Sequence, residues 1–237
     1  MSKVFNMVGG GGGATASIFV KGLSETDTVT ATNGSKTKTG VWTTKDSVSG
    51  WLFDKIKDYG TWTVTATDGE QTATQDVLVD VITEYDIEML YSKLYLYRDG
   101  DECEDVTGGW YIMRRSSNGS VTKNTDNITM STVSGSNEIG IGTLNAVSLN
   151  GFTHLKCKLD EPHENGMLIF IFPLQYSSWN DADQHRDLYK GLGNSYLDSE
   201  LTFTFDISSV NTITTDRIHV GISGAGSSKI KRIWLER

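Results

Sequence analysis

Residues 176–196, YSSWNDADQHRDLYKGLGNSY, combine aromatic rings with planar hydrogen-bonding side chains. A sugar ring needs a flat apolar surface to stack on and partners for its hydroxyl groups, so this composition suits a glycan. The same composition suits a protein interface, where Trp, Tyr and Arg dominate the binding energy. A third interpretation is a loop folded back over a sheet, with its rings filling the edge of the core. The candidate ligand or receptor contacts are Tyr176, Trp179, Asn180, Asp181, His185, Arg186 and Tyr189.

Carboxylates cluster in residues 99–109, DGDECEDVTGG. Counted from Asp99, position 5 of an EF-hand loop is Cys103 and position 12 is Trp110, so the EF-hand pattern fails. Two interpretations of this segment remain: a calcium site formed by Asp99 and Asp101, or a solvated acidic loop. His154 lies three residues before Cys157, and on a strand the two would point to opposite faces, which argues against zinc.

Catalytic and cofactor motifs are not apparent in the sequence. No serine lies in a G-x-S-x-G elbow, and no pair among the thirty acidic residues is marked as a glycosidase pair. Gly9, Gly11 and Ala14 formally fit the dinucleotide fingerprint, but no strand precedes them and no helix pattern follows. We therefore expect a protein that is not an enzyme and has no cofactor.

Composition points to an all-β chain. The 237 residues include 10% aromatics, abundant Thr and Ser and only two prolines. A net charge of −9 argues against nucleic acid and against a basic membrane anchor. No apolar run is long enough for a membrane span, and no signal-peptide pattern is apparent. Cys103 and Cys157 are expected to be reduced thiols, with a single bridge as the alternative.

Residues 14–82 predict a small β-sandwich of immunoglobulin-like or prealbumin-like build. Trp62, Val64 and Ala66 alternate with threonines, which indicates a strand with one apolar face. Asn33-Gly34 and Asp68-Gly69 are strong hairpin signals.

Residues 83–237 predict a larger jelly roll with a lead-in strand. The run 166–174, GMLIFIFPL, is continuously apolar and indicates a central strand buried on both faces. Residues 201–205 alternate as a half-buried strand. Residues 179–196 interrupt the strand pattern, with a short helix as the one regular element expected there.

Two parts of the chain resemble known families. The opening VFNMVGGGGG and the hairpin GTWTVTATDG at 60–69 resemble structural proteins of prophages of Gram-positive bacteria. The order of NAVSLNGFTHLKCKLD, LTFTFDISSV, IHVGIS and SSKIKRIWLE is similar to galactose-binding-like jelly rolls, the architecture of many carbohydrate-binding modules. In those modules the final strand pairs back against the first.

The resemblance implies a non-catalytic virion appendage, a tail-associated or head-decorating fibre that engages a host-surface glycan or protein. It would be made in the bacterial cytoplasm and be homo-oligomeric, with a trimer expected, although no heptads support one. The alternatives are a capsid or tail decoration protein without a ligand, and a carbohydrate-binding module of a cell-wall-acting protein. The particle-attachment residues would be Val4, Phe5, Asn6, Met7, Val8, Gly9, Gly10, Gly11, Gly12 and Gly13.

Overall fold

A computed structural model describes residues 14–103, 108–115, 118–133, 138–161, 166–193 and 196–237. The described residues divide into two compact units, one ending at Ser92 and one running from Lys93 to Arg237. The boundary thus lies later than residue 83, because a strand at Glu84–Glu88 pairs in parallel with Ala16–Lys21 of the first unit. The predicted attachment peptide, Val4 to Gly13, lies outside the described residues.

The first unit contains two four-stranded sheets. One has the strand order β4-β5-β1-β8 and the other has the order β3-β2-β6-β7. The strands are β1 Ala16–Lys21, β2 Thr28–Asn33, β3 Lys36–Thr39, β4 Val41–Lys45, β5 Val48–Ile56, β6 Gly60–Thr67, β7 Thr72–Val79 and β8 Glu84–Glu88.

Alternation along β6 builds the core of this unit. Trp62, Val64 and Ala66 are buried, and the threonines between them face outward. At the turn into β7, the Asp68 carboxylate accepts hydrogen bonds from the backbone N–H groups of Glu70 and Gln71. Both predicted hairpins are present, β2–β3 around Gly34 and β6–β7 around Gly69, where φ is positive as such turns require.

The second unit is a larger sandwich. Its five-stranded sheet has the order β10-β13-β18-β15-β16; its six-stranded sheet has the order β11-β12-β19-β14-β17, with β9 also paired to β19. The strands are β9 Lys93–Arg98, β10 Trp110–Arg114, β11 Gly119–Lys123, β12 Ile128–Thr132, β13 Glu138–Thr143, β14 His154–Leu159, β15 Met167–Pro173, β16 Leu188–Leu192, β17 Thr202–Asp206, β18 Asp216–Ser223 and β19 Gly226–Glu236.

The fold class predicted from the sequence, a small sandwich followed by a larger jelly roll, is confirmed. Strand β15 is buried on both faces, as its continuous apolar run predicts. The final strand β19 pairs antiparallel with β9, the first strand of its unit. One expectation is corrected: the segment 179–196 does not simply interrupt the strands, because its second half forms strand β16 along the edge of β15.

Helix α1, Trp179–Gln184, is the short helix expected in this segment. Ser178 caps it by accepting a hydrogen bond from the backbone N–H of Asp181. Within the described ranges, no helix has the length and apolar character needed to cross a membrane. Cys103 and Cys157 are both free thiols, as expected, and burial raises the pKa of Cys157.

Candidate functional site

The outer face of the six-stranded sheet carries an open groove of about 330 Å³. This volume lies at the lower end of the range found for small-ligand sites. We call it the β19 groove. Six of its lining residues are Tyr95, Lys156, Lys158, Thr202, Arg232 and Trp234.

The alternation of strands β14 and β19 aims these side chains outward. On β14, Leu155, Cys157 and Leu159 are buried in the core, so the lysines between them face the groove. On β19, Ile233 and Leu235 are buried in the core. Arg232, Trp234 and Glu236, which alternate with them, therefore face outward.

A β-bulge in β19 sets which residues face the groove. Lys158 pairs with Arg232, but the next residue of β14, Leu159, pairs with Ile230, so Lys231 is the extra residue on β19. A bulge changes the direction of the side chains that follow it. Because of this one extra residue, Ile230 and Ile233 both point into the core, and Arg232 and Trp234, which share a face by strand alternation, point outward.

The floor of the β19 groove is aromatic. Trp234 and Tyr95 are cross-strand partners, and their ring centroids are 6.2 Å apart. The Lys93 ammonium lies 5.4 Å from the centre of the indole ring, within the range of a cation–π contact. Trp234 is 7% exposed in this arrangement, so most of its ring surface is covered by neighbouring groups.

Ion pairs fix the polar rim. Lys156 donates a hydrogen bond of 2.7 Å to Glu236, and Trp234 Nε1 donates another of 3.1 Å to the same carboxylate. Burial opposes ionisation of Glu236, but these two bonds favour it, and the pKa of Glu236 lies below its ordinary value. Asp198 accepts hydrogen bonds of 2.9 Å from the backbone N–H groups of Glu200 and Thr202.

The carboxylates proposed for calcium have other partners. Asp99 forms an ion pair with Arg232 at 2.5 Å, and Asp101 accepts a hydrogen bond of 2.9 Å from the backbone of Cys103. Among the residues that the structure describes, no group of three or more His, Cys, Asp or Glu side chains is arranged to hold a metal ion. Asp99 therefore acts as an ion-pair partner, and Asp101 fixes the turn.

The predicted contact segment lies on the other sheet. Trp179 is 4% exposed, and its ring packs edge-on against Phe170, at 4.9 Å between centroids, and against His219, at 5.1 Å. This arrangement matches the third interpretation of the sequence, a loop folded over the sheet. Asn180 and Asp181 lie on the exposed side of α1.

Four of the remaining predicted contacts form one ring stack and one cation–π pair. Tyr176 and His185 are stacked with centroids 4.1 Å apart and planes 8° apart. The Arg186 guanidinium lies 4.4 Å from the centre of the Tyr189 ring, and Tyr189 is 41% exposed. The structure therefore gives these four residues accessible edges, whereas Trp179 is part of the core.

Beneath α1, rings form a row across the five-stranded sheet. Tyr111, His219, Phe170 and Tyr189 occupy matching register positions on β10, β18, β15 and β16, with Gly142 filling the place on β13. A Cβ at Gly142 would come within 2.9 Å of the Tyr111 ring, so a larger residue there would require the ring to shift. His219 is completely buried, and burial lowers its pKa to about 3. The middle of this row, Phe170 and His219, is therefore packed as core, whereas Tyr189 at its end is exposed.

The β19 groove was missed at the sequence level. Trp234 was recognised there only as part of a terminal strand. The available signal was the alternation of charged residues along the two strands, in KCK at 156–158 and RIWLE at 232–236. That pattern does not reveal that the two stretches are neighbours.

Comparison with known proteins gives structural similarity alone. No family model matches the chain, and no curated protein matches it. A solved carbohydrate-binding module of the β-sandwich superfamily aligns over 94% of this chain and 99% of its own, with 11% identity and a TM-score of 0.37. The xylan-binding module CBM15 aligns over 61% and 95%, with 17% identity and a TM-score of 0.38. A family 11 module from Clostridium thermocellum aligns over 61% and 95%, with 12% identity and a TM-score of 0.36. These values do not bear on what this chain binds.

Proposed function

We propose that the second unit binds a saccharide in the β19 groove and that the chain is not catalytic. The observation that supports this most is the composition of the groove, in which an indole and a phenol ring form the floor of a polar cleft. Sugar rings present an apolar C–H face and a rim of hydroxyl groups. The rings of Trp234 and Tyr95 suit the apolar C–H face, and the charged side chains around them suit the hydroxyl groups.

The carboxylates of the groove favour binding over hydrolysis. A glycosidase needs one carboxylic acid that stays protonated near neutral pH, with a raised pKa. The pKa of Glu236 is lowered instead, and Lys156 and Trp234 hold the carboxylate in its ionised form. Asp198 is engaged with backbone N–H groups, which suits a role in shaping the loop.

The binding proposal is tested on a glycan array with the purified chain and a Tyr95→Ala variant. Loss of one stacking ring should weaken the strongest interactions about tenfold. Tyr59→Ala, which removes a 58% exposed tyrosine from the first unit, is the matched control and should bind as the native chain does. No binding by the native chain would favour a purely architectural protein, and equal binding by both variants would exclude this groove.

We further propose that the chain is an appendage of a phage particle, anchored through Val4 to Gly13. The support is the resemblance of the opening peptide and of the 60–69 hairpin to prophage structural proteins. Many copies on one particle would convert weak single-site affinity into firm attachment.

Deleting residues 1–13 tests this attachment. Particles assembled with the shortened chain should lack it, while the purified chain keeps its far-ultraviolet circular dichroism and its glycan binding. Normal incorporation of the shortened chain would contradict the attachment role and leave the glycan proposal intact.

A further inference from the structure

Basic side chains are concentrated in the β19 groove. Four basic and three acidic residues line it, in a chain whose net charge is −9. Two of the three acidic groups are engaged: Glu236 is bound by Lys156 and by Trp234, and Asp198 by backbone N–H groups, whereas the third, Glu200, is exposed. The lining therefore carries one more basic than acidic residue, in contrast to the chain as a whole.

Lys158 differs from the other basic residues of the groove. It has no ion pair or side-chain hydrogen bond among the described residues. Its neighbour across the strands is Arg232, and Lys156 lies two residues away on the same face of β14. Like charges directly opposite each other on a sheet destabilise it. Asp99 forms an ion pair with Arg232, and Glu236 forms one with Lys156, but within the described part of the chain no ion pair offsets the charge of Lys158.

We infer that the saccharide bound in the β19 groove carries an anionic group, a carboxylate or a phosphate, which binds at Lys158 beside Arg232. This inference rests on the proposed function and specifies its ligand. An anion there would accept hydrogen bonds from the Lys158 ammonium and relieve its repulsion with Arg232. Arg232 and Trp234 are two residues apart on β19, which corresponds to about 6.8 Å along a strand. The anionic group would therefore lie next to the sugar ring that stacks on Trp234.

The test compares matched charged and neutral ligands. Polygalacturonic acid and its full methyl ester share one backbone, and glucose 6-phosphate and glucose form the corresponding phosphate pair. These four probes are added to the glycan array and then measured by titration calorimetry at low and at high salt. The proteins are the native chain, Lys158→Gln, and the control Lys190→Gln, which removes an exposed lysine of the five-stranded sheet.

We expect the native chain and Lys190→Gln to bind at least one anionic probe about tenfold more tightly than its neutral partner. Lys158→Gln should lose that preference, and its melting temperature should be kept or slightly raised, because the repulsion between Lys158 and Arg232 is removed. High salt should weaken the preference, because a half-exposed charge is screened. The probe pair that shows this preference tells whether the groove binds a carboxylate or a phosphate.

Array binding confined to neutral glycans, or a preference that Lys158→Gln retains, would overturn this inference while the proposed function stands. If the native chain binds no glycan on the array, the proposed function fails and this inference fails with it.

Discussion

At the scale of single residues, two buried ionisable groups, Asp216 and His219, make opposite contributions to the pH dependence of stability in acid. Burial and the neighbouring carboxyl of Asp187 raise the pKa of Asp216 to about 7. Burial lowers the pKa of His219 to about 3. Between about pH 4 and 6.5 the folded chain therefore keeps a proton on Asp216 that the unfolded chain loses. It also lacks the proton that the unfolded chain gains on its histidine.

The two effects have opposite signs. The contribution of Asp216 to stability is present at low pH and is lost as pH rises towards 7; that of His219 is present above about pH 6.5 and is lost as pH falls. The native chain should thus show little change in the free energy of unfolding between pH 4.5 and 6.5.

Asp216→Asn should expose the histidine effect. In this variant the free energy of unfolding should fall with acidification by up to about 1.4 kcal/mol per pH unit. Urea unfolding at pH 4.5, 5.5 and 6.5 measures it. Parallel pH profiles for the native chain and the variant would show that Asp216 does not hold a proton in the folded state.

At the scale of elements, the short helix α1 covers an aromatic face. It contributes Trp179 and Ala182 to the cluster formed on the outer face by Phe170 and its neighbours on the sheet. A ligand could stack on Trp179 only if this segment lifted from the sheet, at the cost of these contacts.

Trp179→Ala should therefore act on stability. Removing a buried indole should lower the free energy of unfolding by about 3 kcal/mol, and the variant that remains folded should bind glycan as the native chain does. Chemical denaturation and the array measure the two effects. Tyr196→Ala, at a 62% exposed ring, is the control and should change stability by less than about 0.5 kcal/mol. Lost binding with unchanged stability would place the ligand on α1 instead.

The elements were largely predictable, but the groove was not. Alternation on β6 and β7 and the apolar run of β15 reflect local burial, which the sequence records directly. Strand β16 was missed because LYKGL at 188–192 lies at an edge and carries a lysine and a glycine, so no alternation marks it. The groove depends on the pairing of β14 with β19, about 75 residues apart, and on one bulge, which no local pattern encodes.

At the scale of the whole molecule, the sequence predicted two β units and their order, and the second unit carries the proposed site. The first unit has its own core around Trp62 and Phe53. We interpret it as the spacer between the proposed attachment peptide and the binding unit. The chain is acidic overall, with a net charge of −9, whereas basic residues outnumber acidic ones in the β19 groove. This difference would direct an anionic saccharide to the groove.

The most direct test is to follow the six tryptophan indole N–H signals by NMR while the strongest array ligand is added. Single Trp→Phe variants assign the signals. The Trp234 signal should shift with ligand concentration and saturate, while the Trp179 signal stays in place, because only Trp234 lies in the groove. A shift of Trp179 with an unchanged Trp234 signal would contradict a saccharide site on β19.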